Sequence, residues 1–87
     1  MYSIDFTNAA RRQLKKIPHQ DRTTILDAIE TLASNPRPPA SKNLVGIKNS
    51  YRLRVGNYRV LYEVIDNQLL ITVFRTGHRR EVYKDLH

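Results

Sequence analysis

The sequence YRLRVGNYRVLYEV, residues 51–64, predicts a β-hairpin. Apolar and polar residues alternate on both sides of Gly56-Asn57, and a two-residue turn that begins with Gly is typical of tight hairpins. In this register Arg54 lies directly opposite Arg59. The hairpin is therefore predicted to bring basic side chains together across two neighbouring strands.

Alternation along the two strands separates an apolar face from a basic face. The apolar face can be buried and consists of Tyr51, Leu53, Val55, Tyr58, Val60 and Tyr62. The basic face carries Arg52, Arg54 and Arg59. Because like charges directly opposite each other destabilise a sheet, the Arg54/Arg59 pair indicates that an anion binds across it.

Two helices are predicted before the hairpin. Tyr2–Phe6 alternates weakly, which suits a short strand, and Thr7-Asn8 offers a capping residue for the helix that follows. Pro18 ends this first helix. A second helix is predicted to begin at residues 19–21 and to close at Asn35-Pro36.

One further strand is predicted after the hairpin. Asp66-Asn67 forms a turn, and Gln68–Arg75 is rich in β-branched residues, so that Val64 meets Leu69 across the turn. Between the second helix and the hairpin, residues 37–41 form a stiff, irregular Pro-rich connection. Periodicity leaves residues 44–47 open as either the start of a strand or a turn.

The chain is predicted to be a single α+β domain over residues 1–87, because this length does not supply a second hydrophobic core. Two N-terminal antiparallel helices pack on one face of a small antiparallel sheet of three to four strands. The basic face also carries apolar residues such as Leu61 and therefore needs a partial cover. A turn at Gly77 would let a short C-terminal helix or coil bring Arg79 and Tyr83 across this face.

The charge pattern indicates an anionic partner. The formal net charge is +7, and no acidic residue occurs between Glu30 and Glu63. Lys and Arg provide sequence-independent affinity for nucleic-acid phosphates, although an acidic protein would satisfy the same electrostatics. The candidate nucleic-acid contacts are Lys42, Lys48, Phe74, Arg75 and Arg80.

The chain lacks the residues that several classes of functional site need. The chain has no cysteine, which excludes disulfides and thiolate zinc sites. Its three histidines lack metal-ligand spacing, and it has neither a Gly-rich phosphate loop nor paired carboxylates, so no metal or cofactor is predicted. Without a signal peptide or a span of about 20 apolar residues, a cytoplasmic location with no membrane contact is expected.

The order of strand, helix pair, Pro-rich connection and hairpin, together with GHRREVY at residues 77–83, resembles the RelE/ParE superfamily of toxins from prokaryotic toxin–antitoxin pairs, especially the RelE branch. The resemblance covers essentially the whole chain. It implies a ribosome-dependent endoribonuclease that cleaves messenger RNA in the decoding site by attack of the 2'-hydroxyl on the scissile phosphate. It also implies a cognate antitoxin, with operator DNA contacted only through the toxin–antitoxin complex.

The resemblance implies roles for individual residues. Arg59 would stabilise the phosphate in the transition state, and Arg79 would protonate the leaving group or stabilise its charge. Tyr83 would stack on the substrate or orient it. Arg52 and Arg54 stand where well-studied RelE toxins have two lysines.

These residues do not explain how the 2'-hydroxyl loses its proton, because a guanidinium is a poor proton acceptor. His78 is one candidate for the base, since histidine is the side chain that most often serves as a general base. The other explanation is that catalysis rests on charge stabilisation and on RNA geometry fixed by the ribosome. Two alternative functions remain, a ParE-like gyrase-binding toxin without RNA cleavage and a basic nucleic-acid-binding module without toxicity.

Overall fold

A computed structural model describes residues 1–78 of the chain. Its elements are β1 (Ser3–Phe6), α1 (Asn8–Lys15), α2 (His19–Thr31), β2 (Ser41–Asn43), β3 (Ser50–Val55), β4 (Tyr58–Ile65), a 3-10 turn (Asp66–Gln68) and β5 (Leu70–His78). The five strands form one sheet in the order β1-β5-β4-β3-β2. The α+β fold is confirmed. The sheet is larger than predicted and mixed, because β1 runs parallel to β5.

The two helices begin where capping chemistry predicts. The side chain of Thr7 accepts a hydrogen bond from the backbone N–H of Ala10 at 3.1 Å, which satisfies one donor of the first turn of α1. Helix α2 follows Pro18, whose fixed φ and missing N–H are tolerated just before a helix. The predicted helix pair is therefore confirmed.

The hairpin of β3 and β4 has the predicted register, with Arg54 opposite Arg59 and Leu53 opposite Val60. Gly56 has a φ of +58°, a conformation that is costly for residues with a Cβ atom. Because Gly is the first turn residue and its neighbour has no positive φ, the geometry is that of a type II' turn. The hairpin prediction is confirmed.

The predicted register of the last strand is wrong. Val64 pairs with Ile71 rather than with Leu69, because the 3-10 turn and Leu69, which has a φ of 50°, lengthen the connection. A bulge then shifts the register again between Leu61 and Tyr62. A bulge adds one residue to one strand of the pair, and alternation alone does not signal it.

The predicted sharp turn at Gly77 is also wrong. Strand β5 continues to His78, and Gly77 lies opposite Arg59 within the sheet. Strand β4 extends far enough to offer hydrogen-bonding partners along this whole length, so the chain has no reason to turn there. The short helix or coil predicted after this point falls outside the described residues.

Two outer strands complete the sheet, β1 by pairing with the distant β5 and β2 by pairing with the nearby β3. In β1, the N–H of Ser3 donates to the carbonyl oxygen of Leu69 at 2.8 Å. Strand β2 adds to the other edge, with Lys42 opposite Arg52. The segment predicted as an irregular connection thus ends in a short strand, and the open question at residues 44–47 is answered by a turn.

The helices cover one side of the sheet, which we call the inner face. The buried core between them consists of Ala10, Leu14, Ile17, Ile25, Ile29, Leu32, Tyr51, Leu53, Val60, Tyr62, Val64, Ile71 and Val73. It includes four of the hairpin residues predicted for burial, Tyr51, Leu53, Val60 and Tyr62, while Val55 and Tyr58 are partly buried against it. The opposite side, the outer face, therefore carries the arginines of the hairpin.

Candidate nucleic-acid interface

The outer face gathers five cationic residues from four strands, and we call this surface the arginine face. They are Lys42, Arg52, Arg54, Arg59 and Arg75. Residues paired directly across neighbouring strands project on the same side of a sheet. One cross-strand row runs Lys42, Arg52, Leu61 and Arg75, and the next runs Arg54, Arg59 and Gly77. The sheet thus concentrates cations that are up to 33 residues apart in sequence.

Arg54 and Arg59 differ in their surroundings although they face each other. Arg54 is exposed, whereas Arg59 is only 7% exposed and donates from Nη1 to the carbonyl oxygen of Tyr58 at 3.1 Å. Gly77, opposite Arg59 on the next strand, has no side chain to occupy the space beside it. A buried guanidinium opposite an exposed one suits a site that binds an anion between them.

A small apolar cluster supports the arginine face. Leu61 is fully buried and packs with Leu44, and the partly buried Phe74 lies against both. The loop after β2 is fixed in place by a 2.9 Å hydrogen bond from the N–H of Leu44 to the carbonyl oxygen of Ser50. The cover predicted for Leu61 therefore comes in part from Leu44, which sequence reasoning did not assign to this face.

The bulge in β5 decides where Phe74 and Arg75 lie. Val73 faces the core and Arg75 pairs with Leu61, so the inserted Phe74 and the following Arg75 both reach the outer face. The predicted register, with Val64 opposite Leu69, would put Phe74 opposite Arg59, but the structure places Gly77 there. Phe74 stays available at the border of the arginine face as a partly exposed aromatic ring.

The structure does not bring His78 to the arginines. His78 pairs with Tyr58, whose side chain packs against the core on the inner face, and the two rings meet edge to face at 5.9 Å. The hydroxyl of Tyr58 donates to Asp21 of α2 at 3.0 Å. These residues line a pocket of about 460 Å³ beside the hairpin turn, on the opposite side of the sheet from Arg54.

Carboxylates on the outer face lie in a row of their own. The row runs Ser50, Glu63, Thr72 and Asp5. Glu63 is two residues from Leu61 along β4, so it borders the arginine face without pairing directly with its cations. In the register of the described strands, cations therefore face cations or small and apolar residues.

The other predicted contacts divide between the loop and the end of the chain. Lys48 is exposed in the turn that follows Leu44, which places it beside the strand edge that carries Lys42. Arg79, Arg80 and Tyr83 lie outside the described residues.

Arg37, part of the basic stretch noted in the sequence, has a structural role. Its Nη2 lies 2.8 Å from Oδ2 of Asp66, its Nε donates to the hydroxyl of Tyr51 at 2.7 Å, and the Tyr2 hydroxyl donates to Asp66 at 2.6 Å. This cluster ties the Pro-rich connection to β3, to the N-terminus and to the 3-10 turn. Sequence reasoning missed it because the four residues are distant in sequence.

The same contacts shift proton affinities. The hydrogen bond from Arg37, with that from Tyr2, holds the pKa of the Asp66 carboxyl below its ordinary value. Donation to Asp66 raises the pKa of the Tyr2 hydroxyl. Burial raises the pKa of Tyr62, which lies in the core.

The described part of the chain has neither a metal-binding cluster nor a helix that could span a membrane. Among residues 1–78, no three or more His, Asp or Glu side chains are grouped so that they could hold a metal ion. Neither α1 nor α2 has the length and hydropathy of a bilayer-crossing segment.

Comparison with known proteins supplies the family. The profile of the family described as the ParE toxin of the type II toxin-antitoxin system, parDE, matches residues 4–83. This chain belongs to the RelE/ParE superfamily of type II toxins. The toxin is 30% identical over 87 residues to Toxin RelG of Mycobacterium tuberculosis, with 95% of this chain and 97% of RelG covered.

The similarity extends to the RelE branch. The toxin is 31% identical to the mRNA interferase toxin RelE of Escherichia coli K12, with 97% of this chain and 92% of RelE covered. It matches a chain in the crystal structure of the intact E. coli RelBE toxin–antitoxin complex with a TM-score of 0.78 and 29% identity, over 90% of this chain and 96% of that chain. The toxin is thus RelE-like in sequence and fold.

Proposed function

We propose that this toxin is a ribosome-dependent endoribonuclease that cleaves messenger RNA in the decoding site. The observation that carries the proposal is the arginine face, where Arg54 and Arg59 oppose each other beside a row that contains Arg52 and Arg75. The name of the E. coli relative, mRNA interferase toxin RelE, supports the same activity.

The proposed reaction uses a nucleophile that belongs to the substrate. The 2'-hydroxyl gives up its proton to water while its oxygen attacks the adjacent phosphorus. The bond from phosphorus to the 5'-oxygen breaks and that oxygen takes up a proton, so the products are a 2',3'-cyclic phosphate and a 5'-hydroxyl. The transition state carries additional negative charge on the phosphoryl oxygens, which preorganised cations stabilise. Arg59, held by its backbone contact, and the opposing Arg54 are suited to this role, with Arg52 beside them.

The proposal for proton transfer does not use a histidine base. His78 lies on the inner face with Tyr58, away from the arginines, so we do not assign it the role of base. We propose instead that charge stabilisation and RNA geometry fixed by the ribosome supply most of the rate enhancement. Protonation of the leaving oxygen by Arg79 and stacking by Tyr83 remain part of the proposal.

The remaining cations and Phe74 would position the RNA. Lys42, Lys48, Arg75 and Arg80 would contact phosphates, and Phe74, at the border of the arginine face, would stack on an unpaired base. A cognate antitoxin is proposed as the protein partner, since the compared RelBE structure is a toxin–antitoxin complex. Operator DNA would be contacted only through that complex.

Substitution of Arg54 tests the proposal. Arg54→Gln removes an exposed guanidinium without opening a cavity, and we expect the rate of messenger RNA cleavage on saturating ribosomes to fall by about 10²-fold, as when one oxyanion donor is lost. Primer extension on ribosome-bound messenger RNA measures the cuts. Arg22→Gln on α2 is the matched control and should cleave at the wild-type rate. Full activity of Arg54→Gln would remove the arginine face from the mechanism.

A ParE-like, gyrase-binding toxin is the second candidate, and the description of the matching family profile favours it. This candidate predicts induction of the DNA-damage response with intact messenger RNA. Measuring both responses in the same cells after expression distinguishes the two. Arrest of translation without cuts inside codons would contradict the endoribonuclease proposal.

A further inference from the structure

Beyond Val73, strand β5 has a neighbouring strand on one side only. Strand β1 runs beside it from Ser3, and the last pair that the two strands form is Phe6 with Val73. The chain then leaves the sheet at Thr7 and enters α1, while β5 continues beside β4 to His78. Backbone groups on the open side of β5 need other partners, because a buried polar group without a hydrogen bond is costly.

The N-terminus of α1 holds the start of this segment. The backbone N–H of Thr7 donates to the carbonyl oxygen of Val73 at 2.9 Å, and the Thr7 hydroxyl donates to the carbonyl oxygen of Phe74 at 3.4 Å. The same hydroxyl oxygen accepts the hydrogen bond from the N–H of Ala10 that caps the helix. Thr7 thus joins the first turn of α1 to Phe74, the inserted residue of the β5 bulge.

The side chain of Gln13 holds the other end of the bulge. Its Oε1 accepts a hydrogen bond from the backbone N–H of Thr76 at 2.9 Å. Thr76 is only 2% exposed, so water has little access to this N–H, and the Thr76 hydroxyl donates to the carbonyl oxygen of Ala10 at 3.3 Å. Helix α1 therefore provides the hydrogen-bonding partners that an edge strand would otherwise offer to β5.

The bulge that α1 holds determines the layout of the arginine face. With the bulge, Arg75 lies opposite Leu61 and Gly77 lies opposite Arg59. Without it, each residue after Val73 would move to the other side of the sheet. Arg75 would then project toward the core, and a residue with a side chain would replace Gly77 beside Arg59. The arrangement of the cations therefore depends on the bulge staying in place.

We propose that Gln13 is a positioning residue for the cleavage reaction, because it holds the bulge of β5 in the register that forms the arginine face. This inference rests on the proposed function and adds to it a residue of α1, on the opposite side of the sheet from the bound RNA. Gln13 is partly buried and does not belong to the hydrophobic core. A substitution there removes the contact with Thr76 and leaves the core intact.

Gln13→Leu tests this role. Leucine has a helix propensity close to that of glutamine but offers no acceptor to the Thr76 N–H. We expect the rate of messenger RNA cleavage at saturating ribosome concentration to fall about tenfold, because small displacements of the groups that stabilise a transition state have large effects on the rate. The ribosome concentration at half saturation should stay within about twofold of the wild-type value, as when only a transition-state interaction is lost.

Gln13→Glu is the conservative variant. It keeps an acceptor oxygen on a side chain of the same length and should cleave at close to the wild-type rate. Gln20 is an exposed glutamine on α2 and provides the matched controls. Gln20→Glu adds the same charge, and Gln20→Leu makes the same apolar change. Both controls should cleave at the wild-type rate.

Amide hydrogen exchange of the free toxin, followed by nuclear magnetic resonance, measures the contact without RNA. In Gln13→Leu the Thr76 amide should exchange about tenfold faster, and the amide resonances of Arg75 and Gly77 should shift. The amide of Ile71, nearer the start of β5, should exchange at the wild-type rate, which separates a local release of the bulge from a general loss of stability. Gln13→Glu should return the Thr76 exchange rate to near the wild-type value.

Wild-type cleavage by Gln13→Leu would overturn the inference, and so would a Gln13→Glu variant that cleaves as slowly as Gln13→Leu. A Thr76 amide that exchanges at the wild-type rate in Gln13→Leu would overturn it as well. If the wild-type toxin makes no cuts, the proposed function is rejected, and the exchange of the Thr76 amide still decides whether Gln13 holds the bulge.

Discussion

Basic residues of this toxin either make structural contacts or lie exposed on the arginine face, and their spacing in the sequence does not distinguish the two. Arg37 and Arg54 both belong to the stretch without acidic residues, yet Arg37 is bound to Asp66 and Tyr51 while Arg54 is exposed on the arginine face. The difference arises because Asp66, which comes from the turn after β4, reaches only one of them. An individual basic residue therefore had to be placed in three dimensions before it could be assigned a role.

The Asp66 cluster makes stability depend on pH in a defined direction. Arg37 lowers the pKa of Asp66 in the folded state, so the unfolded chain takes up the proton first as pH falls below about 4. We expect the stabilisation from the cluster to be complete at neutral pH and to be lost as pH falls through the folded-state pKa. Thermal melts from pH 7 to pH 2.5, followed by circular dichroism, measure this loss.

Asp66→Asn should lower the melting temperature at neutral pH, as acidification does in the wild type. The melting temperature of the variant should then change less between neutral and acidic pH. Asp27→Asn, an exposed position on α2, is the control and should follow the wild-type curve. If the melting temperatures of Asp66→Asn and the wild type differ by the same amount at every pH, the cluster does not stabilise the fold through the charge of Asp66.

Among the elements, the hairpin of β3 and β4 is the one that positions the site. Its turn fixes the register, and the register places Arg54 against Arg59 and Leu61 against the cluster that supports the arginine face. A shift of one residue would move the arginines into the core. The apolar side chains on the inner face oppose that shift strongly.

Gly56→Ala tests how far the turn determines the hairpin. No atom lies within 4 Å of the position a Cβ would take, so the cost comes from the φ of +58° alone. We expect the free energy of unfolding to fall by about 1 kcal/mol, as measured by urea denaturation. Asn57→Ala, at the neighbouring position with no positive φ, should change the free energy of unfolding by less than about 0.5 kcal/mol. Equal effects of the two substitutions would show that the positive φ of Gly56 is not what makes a side chain costly there.

In the molecule as a whole, positive charge lies on two opposite sides of a body that measures 33 × 28 × 25 Å. The arginine face and the exposed cations of α1 (Arg11, Arg12, Lys15 and Lys16) lie on opposite sides of the core, and the formal net charge is +7. Repulsion among like charges destabilises a compact state, and salt screens it over a Debye length that falls from about 30 Å at 0.01 M to about 8 Å at 0.15 M. This charge distribution should therefore reduce the stability of the free toxin.

We expect the melting temperature of the free toxin to rise as sodium chloride is increased from about 0.01 M to 0.15 M. Arg12→Gln/Lys16→Gln should show a smaller rise because it carries two fewer cations. Differential scanning fluorimetry at constant pH is sufficient. A melting temperature that falls with salt would mean that attractive ion pairs outweigh the repulsion.

Local patterns predicted the parts of the fold that depend on neighbours in the chain. The two helices, the register of the hairpin and the side of the sheet that carries Arg52, Arg54 and Arg59 follow from periodicity, capping and turn chemistry, which act over a few residues. The resemblance in GHRREVY and in the hairpin identified the superfamily. Helix caps, turns and hydrophobic periodicity are encoded within a short segment, so they can be read without knowing how the rest of the chain folds.

The remaining features arise from contacts between distant segments. The parallel pairing of β1 with β5 and the Asp66 cluster join residues far apart in sequence, where no local period constrains the partner. Strand β2 pairs with the nearby β3, but its three residues are too few to show a period. The longer turn and the bulge of β5 placed Arg75 on the arginine face and His78 on the inner face. One inserted residue changes which side of a sheet the following side chains occupy, so the composition of the candidate site was settled by packing and strand register.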